Sequence, residues 1–382
     1  MDRIQILQEY ISKEHRGIEI GPYFAPLLPK RDGWNVLVLD IFDAEKLRKL
    51  AENDQKIPNC RVQNIETVDL IGSAHEIADL VEARNEIGKI DFIVSSHNFE
   101  HIPNPIAFLQ ACSKVLRPGG ILSMAIPDKR TCFDYFRPLS TLAGMLSAFV
   151  EGRNKPTIEQ LFELHSLLAR YDTPTGDLLS FPLTCDPRHI VALPTLSEAH
   201  EGWQTRMAWP PSEPRPYEDV HCWTFTPSHF RLLMEDLRFL GYIKLHIEKI
   251  YDTNGGEFFV HLRNTDETSR QALDPARHHE LRQKLLHATN FECSVNCLKP
   301  DSERGLGPQE YEQEILLLRR SINSLQNSKS WRLTSPLRAA ARTIRLHPHL
   351  SGLIFFRKAR ILASRVLRCV SKCGDGGNSE EA

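Results

Sequence analysis

No apolar run in this 382-residue chain reaches the ~18–20 residues that a bilayer-crossing helix needs, so no membrane span is expected. The first residues, MDRIQILQEYISKEH, carry acids from the second position and no apolar core segment, so no signal peptide is expected either. The nine cysteines include no CxxC pair. That argues against a disulfide framework, a redox motif or a zinc ribbon, and for a reduced, cytoplasmic protein. The spacing of His, Cys, Asp and Glu shows no metal-ligand set, so no metal is read from it, and a Mg²⁺ held by scattered carboxylates stays open. The glycine fingerprint G-x-G-x-x-G is missing, which argues against a dinucleotide pyrophosphate cradle. No internal repeat is visible.

What is present is an ordinary globular composition, 41% hydrophobic and 25% charged, with a net charge of −2. That small charge hides an asymmetry. Residues 329–373 hold eleven Lys and Arg and no acid, while residues 1–328 are net acidic by about ten charges.

Hydrophobic periodicity predicts a helix over 3–14, strands at 17–21 and 35–40, a helix over 43–53 and a weaker strand over 61–69. A helix over 76–85, a buried strand over 89–97, a helix over 104–120 and a strand over 121–127 follow. Strands alternating with helices imply a mostly parallel, doubly wound sheet. Residues 131–220 break the rhythm. Two helical patches, 141–150 and 157–171, lead into Pro-, His- and Trp-rich stretches that do not read as core strands. A helix over 227–240 and a hairpin over 242–264, turning at Asn-Gly-Gly, close the sheet antiparallel. The predicted organisation is a domain over 1–264 with a lid or substrate insertion at 131–220, a helical linker over 265–328 and a basic amphipathic tail over 329–382. Within the linker, Tyr311, Ile315, Leu318, Ile322 and Leu325 follow 4-3-4-3 spacing. That pattern serves a short coiled coil or one amphipathic helix equally well.

The stretch RGIEIGPYFAPLLPKRDGWNVLVLD, 16–40, poses the functional question. Glu19 lies at the end of the first strand, Gly21 begins the turn, and Asp40 ends the second strand about twenty residues on. A carboxylate so placed suits ribose hydroxyls. A methyl donor without phosphates, S-adenosylmethionine (SAM), needs no pyrophosphate cradle. A plain strand–turn–strand with solvated acids explains this stretch alone as well.

Further segments then occur in a telling order. IEIGP (18–22), Asp40, Asp69, DFIVSSHNFEHIPNP (91–105) and VLRPGGILSMAIPD (115–128) together resemble the class I SAM-dependent methyltransferases, over roughly residues 1–263. The resemblance implies a Rossmann-like sheet of seven strands and SAM as cofactor. It implies cofactor contacts from Glu19, Gly21, Pro22, Asp40, Asp69 (beside adenine), Ser96 and His97. The first motif departs from the family in having Pro26 and Pro29 where glycines and a long helix usually follow, which concerns how the methionine carboxylate is held. IPDKRTCFDY (126–135) and HCWTFTP (221–227) resemble a subset encoded with polysaccharide-assembly enzymes, and this implies a glycan acceptor.

A sulfonium methyl already has a good leaving group, so the protein must place the acceptor and remove its proton. His97 and His101 flank the end of the fourth strand, where open α/β sheets bind ligands, and both are candidate bases. His101 also serves structure in the family's Glu-His pair. Asp128 and Arg130 are candidate substrate contacts, with a surface turn as the equal alternative. His221 and Trp223 suit a sugar face, although tryptophan is more often core.

The segment SKSWRLTSPLRAAARTIR (328–345) resembles an element of glycosyltransferases and methyltransferases of surface-polysaccharide assembly, and this implies glycosyltransferase partners through the coiled coil. Residues 350–370 are apolar on one side and basic on the other, which suits the surface of an anionic membrane, here the inner one. A solvated basic helix is the plainer alternative. Nucleic acid is not an expected partner, because the acidic remainder repels it. The combined expectation is O-methylation of a sugar hydroxyl. The alternatives are an acceptor that is a small molecule, lipid or amine, and a non-catalytic scaffold.

Overall fold

The computed structural model describes residues 2–54, 59–173, 176–210, 212–265 and 274–295. All of these fall in one compact unit, Met1–Leu298; the other unit, Lys299–Ala382, lies outside them, and with it the coiled-coil and basic-tail expectations.

In chain order the strands are β1 (Gly17–Ile20), β2 (Val36–Asp40), β3 (Leu70–Ile71), β4 (Ile90–Ser96), β5 (Leu116–Pro127), β6 (Ala169–Thr173), β7 (Gly176–Leu178), β8 (Ile190–Ala192), β9 (Leu245–Asn254) and β10 (Glu257–Asn264). The helices are α1 (Arg3–Leu7), α2 (Ala44–Asn53), α3 (Asn59–Val62), α4 (Ile77–Glu82), α5 (Pro105–Val115), α6 (Leu142–Val150), α7 (Ile158–Ser166), α8 (Leu196–Met207), α9 (Pro227–Phe239) and α10 (Pro275–Val295). Seven strands form one sheet in the order β3-β2-β1-β4-β5-β10-β9. The first five run parallel, and β10 and β9 run antiparallel. The doubly wound sheet with a closing hairpin is therefore present.

The order reverses between β1 and β4, which opens a crevice at their carboxyl ends. Those strands are buried on both faces: one packs into the main core, and the other under Leu28 and the partly buried Ile11, Leu27, Trp34 and Val68 of the connecting loops. Gly17, opposite Phe92 in register, is there for space: a Cβ would lie 2.0 Å from the Phe92 ring. The helices begin where the sequence provides caps, Asp43 for α2, Asn104 for α5 and Thr157 for α7.

Four expectations are corrected; the first is the helix expected over 104–120, which stops at Val115, where β5 begins. The strand expected over 61–69 is absent: α3 ends at Val62 and β3 is only Leu70–Ile71. Asp69 explains the delay, because its carboxylate accepts the Val38 N–H at 2.8 Å and so replaces a strand carbonyl. The helix expected over 3–14 stops at Leu7. The helix expected over 157–171 stops at Ser166, and β6 follows in a small sheet ordered β7-β6-β8. Tyr171 and Phe181, centroids 5.9 Å apart, pack there beside Ile190. Thus part of the Pro- and His-rich stretch is regular after all. Beyond residue 265, α10 lies along α9: Arg282 pairs with Asp236 at 2.9 Å and His278 stacks on Phe239 at 4.0 Å.

Candidate functional site

A cleft of about 1000 Å³ lies where β1, β2 and β4 end, lined among others by Gly21, Tyr23, Asp40, Ile41, His97 and His101. A smaller recess of about 330 Å³ adjoins it and shares Ile20, Gly21, Tyr23 and His97.

The proline-laden turn is held by an acid. Glu19 is 2% exposed, and its two carboxylate oxygens accept the backbone N–H groups of Leu27 (2.7 Å) and Leu28 (3.1 Å). Pro22, Pro26 and Pro29 carry no N–H, so the loop has few donors, and two of them meet at this one side chain while the Lys30 N–H goes to Glu66. Glu19 also lines the recess, but its hydrogen-bonding capacity is spent largely on the loop. Gly21 takes φ +61°, and nothing lies within 4 Å of where a Cβ would stand. The turn therefore leaves free space at the strand end that a ligand can occupy.

Burial pushes the Glu19 carboxyl up from 4.5 to about 7, against the two amide hydrogen bonds; Glu66 adds to the rise and Arg3 opposes it. The folded state then holds a proton that the unfolded chain releases. Stability from this group is full below about pH 4.5 and falls as pH rises to about 7, by up to about 1.4 kcal/mol per pH unit. Urea titrations across that window should show the decline in the wild type and a flatter profile in Glu19→Gln. An equal decline in the variant would assign it to other groups.

Asp40 ends β2 with its carboxyl 9% exposed and facing the cleft. Burial raises its pKa, opposed by hydrogen bonds from the Ile41 and Phe42 amides. Beside it, Ile41 and Leu50 remain 57% and 46% exposed. Large apolar side chains left open next to a half-desolvated acid fit the two faces of a nucleoside.

At the end of β4, His97 is a non-glycine residue at φ +49°, a strained conformation of the kind that collects at functional sites. Its N–H donates to Ala125 O at 3.0 Å, and its Nε2 stands 2.8 Å from Glu257 Oε2. Arg3 also donates to Glu257, at 2.6 Å, and reaches Ser96 Oγ. Burial alone would lower the His97 pKa, but the carboxyls of Glu100 and Glu257 outweigh it and push it up to about 9. His101 Nδ1 meets Asp219 at 2.9 Å; its pKa is raised by Asp219 and Glu100 against burial.

The structure brings Glu19, Gly21, Pro22, Asp40, Ser96, His97 and His101 to this one region. Five expected residues sit elsewhere or are otherwise engaged. Asp69 binds the Val38 amide and Lys30 and precedes β3 rather than ending a strand at the cleft. Asp128 is fully buried, pairs with Arg130 at 2.6 Å and accepts from Thr253, so this pair is an internal clamp and not a substrate contact. Trp223 is 4% exposed, and its Nε1–H donates to Ile102 O at 2.7 Å, which leaves no face for a sugar. His221 is 8% exposed and bonds Asp134.

Sequence reading missed Arg3, Ile41, Glu257, Asp134 and Asp219. The last two lie inside or beside quoted motifs, FDY and HCW; the others carry no local signal. No helix among the described residues is long and apolar enough to cross a membrane.

The residues present fit SAM. Asp40 suits ribose hydroxyls, Ile41 and Leu50 an adenine face, and the open space at Gly21 the approach of the rest. No curated protein matches the chain. Among solved structures it is similar to a SAM-dependent methyltransferase from Aquifex aeolicus, at 13% identity and TM-score 0.31, over 68% of this chain and 88% of that one. It is also similar to one from Methanosarcina mazei, at 12% identity and TM-score 0.32, over 70% and 100%. The assignment rests on the sequence itself: residues 1–239 match the family described as Methyltransferase domain, to which this chain belongs as a SAM-dependent methyltransferase.

Proposed function

We propose that the enzyme methylates a hydroxyl group, and that the acceptor is a sugar of a surface polysaccharide or its precursor. SAM, when bound, supplies an electrophilic methyl group on a sulfonium. Asp40 holds the nucleoside end. The acceptor enters from the polar side of the cleft, among His97, Asn98, His101, Lys155, Tyr217 and Asp219. With SAM bound, the methyl group would pass from sulfur to the acceptor oxygen, leaving the neutral thioether, and the His97 ring would take the hydroxyl proton. The observation that carries this reading is the placement of His97: a ring held by a carboxylate and standing in the wall shared by recess and cleft. The sugar rests on the likeness of IPDKRTCFDY and HCWTFTP to the polysaccharide-associated subset, and on a cleft rim rich in hydrogen-bonding groups.

Calorimetric titration with SAM tests the donor site. Asp40→Ala should weaken binding by about 10- to 100-fold, the loss of one or two charge-assisted hydrogen bonds at about 1.5–3 kcal/mol. Thermal stability should hold, because a carboxyl whose burial is unfavourable has been removed. Unchanged SAM affinity in this variant would remove Asp40 from the site. Mass spectrometry of methyl sugars in cells with and without the gene tests the acceptor. Loss of a methylated sugar is the expected result, and identical glycans would overturn the polysaccharide assignment.

A further inference from the structure

Two histidines far apart in the sequence turn the same ring nitrogen toward one enclosed carboxyl group. Glu100 is fully buried, and neither of its side-chain oxygens has a hydrogen-bond partner among the described residues. His101 Nε2 stands 3.8 Å and His221 Nε2 4.0 Å from Glu100 Oε1. On the far side of each ring Nδ1 is bonded to another carboxylate, Asp219 for His101 and Asp134 for His221. A carboxylate only accepts, so each Nδ1 carries a proton, and each ring in its neutral form presents an Nε2 lone pair to an ion. A carboxylate–histidine relay of this kind orients ring nitrogens toward metal ions.

Backbone bonds fix the arrangement. The N–H groups of Cys222 and Trp223 donate to Glu100 O at 2.7 and 3.2 Å, and the Trp223 indole donates to Ile102 O. Arg137 pairs with Asp134 at 2.7 Å and donates to His221 O at 2.9 Å. The two motif segments EHI and HCW are thus pinned side by side. A buried carboxyl with no partner costs about 1–3 kcal/mol or more, and native folds rarely leave one without a reason.

We propose that Glu100, His101 and His221 bind a divalent transition-metal ion of the zinc, iron or nickel class. Their candidate ligand atoms all lie within 4.8 Å of one another. Metal–ligand bonds of about 2.0–2.1 Å imply ligand separations near ~3.3 Å, so the two histidine–carboxyl edges, 3.8 and 4.0 Å, must close by roughly half an ångström or a little more and the histidine–histidine edge, within 4.8 Å, by up to about 1.5 Å. Two imidazoles and one carboxylate suit these ions better than magnesium or calcium, which prefer all-oxygen sets. His101 and its partner Asp219 also line the cleft, so a remaining coordination position faces it. There the ion orients and acidifies an acceptor hydroxyl. That role rests on the methyl-transfer reading; the ion site does not. A competing account of the enclosed carboxyl is His97, whose Nδ1 lies 3.6 Å from Oε1 and can balance it with no metal.

The test uses the full chain, stripped with a chelator and then given zinc or cobalt alone. Bound metal is measured by elemental analysis after gel filtration, and cobalt by its visible d–d band. One equivalent is expected, with a visible band strong enough for a low-coordinate site. Glu100→Gln and His221→Ala should each lose at least tenfold in affinity. Asp219→Asn, at an exposed positioning residue, should lose about 10–100-fold. His287→Ala, on the exposed side of α10, should bind as the wild type does. Absence of uptake by the folded wild type, or equal uptake by the first two variants, overturns the site and leaves His97 as the partner of Glu100. If those two variants fail to fold, unchanged affinity in Asp219→Asn overturns it, and weakened affinity supports it. A SAM titration on the same preparation separates the readings: SAM binding without metal uptake removes the ion alone, and metal uptake without SAM binding removes the donor site alone.

Discussion

Replacing His97 with alanine should lower the turnover of methyl transfer by about 10²–10⁴-fold, the usual contribution of a positioned acid–base group. The residue is set for such a role by its backbone. At φ +49° the chain leaves β4 in a left-handed turn, and the ring projects into the crevice at the switch point of the sheet. Glu257 then holds Nε2 at 2.8 Å. Because the pKa is pushed up to about 9, the ring is charged at neutral pH, and only its deprotonated fraction can take a proton. Turnover should therefore climb with pH toward about 9 in the wild type, and the residual rate of the variant should lack that rise. The same shift has a consequence for folding. Stability from the charged ring is present below pH 6.5 and lost as pH rises through about 9. Steady-state kinetics across pH, with SAM affinity measured separately, decide the matter. A variant with wild-type turnover and weakened SAM binding would show His97 to be a cofactor contact alone.

Trp223→Ala should destabilise the domain by about 3–5 kcal/mol, the cost of emptying a large aromatic site. At about 2–4 °C per kcal/mol for a domain of this size, the melting temperature should fall by roughly 6–20 °C. The indole lies in the main core, and α6 passes close enough that a Cβ on Gly144 would meet the ring at 3.4 Å. Its N–H also satisfies the Ile102 carbonyl next to the EHI segment. Trp223→Phe keeps most of the packing and loses the hydrogen bond, so it should cost less, about 1–3 kcal/mol. If the ring instead stacked on a sugar, alanine would leave the melting temperature alone and raise KM for the acceptor; that result from differential scanning calorimetry and kinetics would sink the core assignment.

Much of the domain was readable along the chain. Apolar runs such as IDFIVSS and VLVLD identify buried parallel strands, because only a strand covered on both faces can afford to lose its polar alternation. The Asn-Gly-Gly turn identifies the closing hairpin, because two glycines admit the tight reversal. Errors arose where a side chain intervened in the backbone ladder. Asp69 satisfies Val38 and so delays β3, and no propensity for strand or helix reports such a bond. The charged candidates fared unevenly for a related reason. An Asp-x-Arg pair after a strand looks the same on paper whether it meets substrate or, as Asp128 and Arg130 do, closes on itself inside the protein.

The amino-acid order by itself determined the alternation of strands and helices, the acids at the ends of β1 and β2, and the family, since these depend on periodicity and on residues near one another in the chain. Only the tertiary structure decided which of the singled-out residues meet. Glu19 turned inward to hold a loop whose prolines left few donors; Trp223 went into the core; and His101, His221 and Glu100 came within ligand distance because two segments remote in sequence share backbone hydrogen bonds. Contacts of that kind are set by packing and by the need to satisfy buried polar groups, conditions imposed by the whole fold and carried by no single stretch of residues.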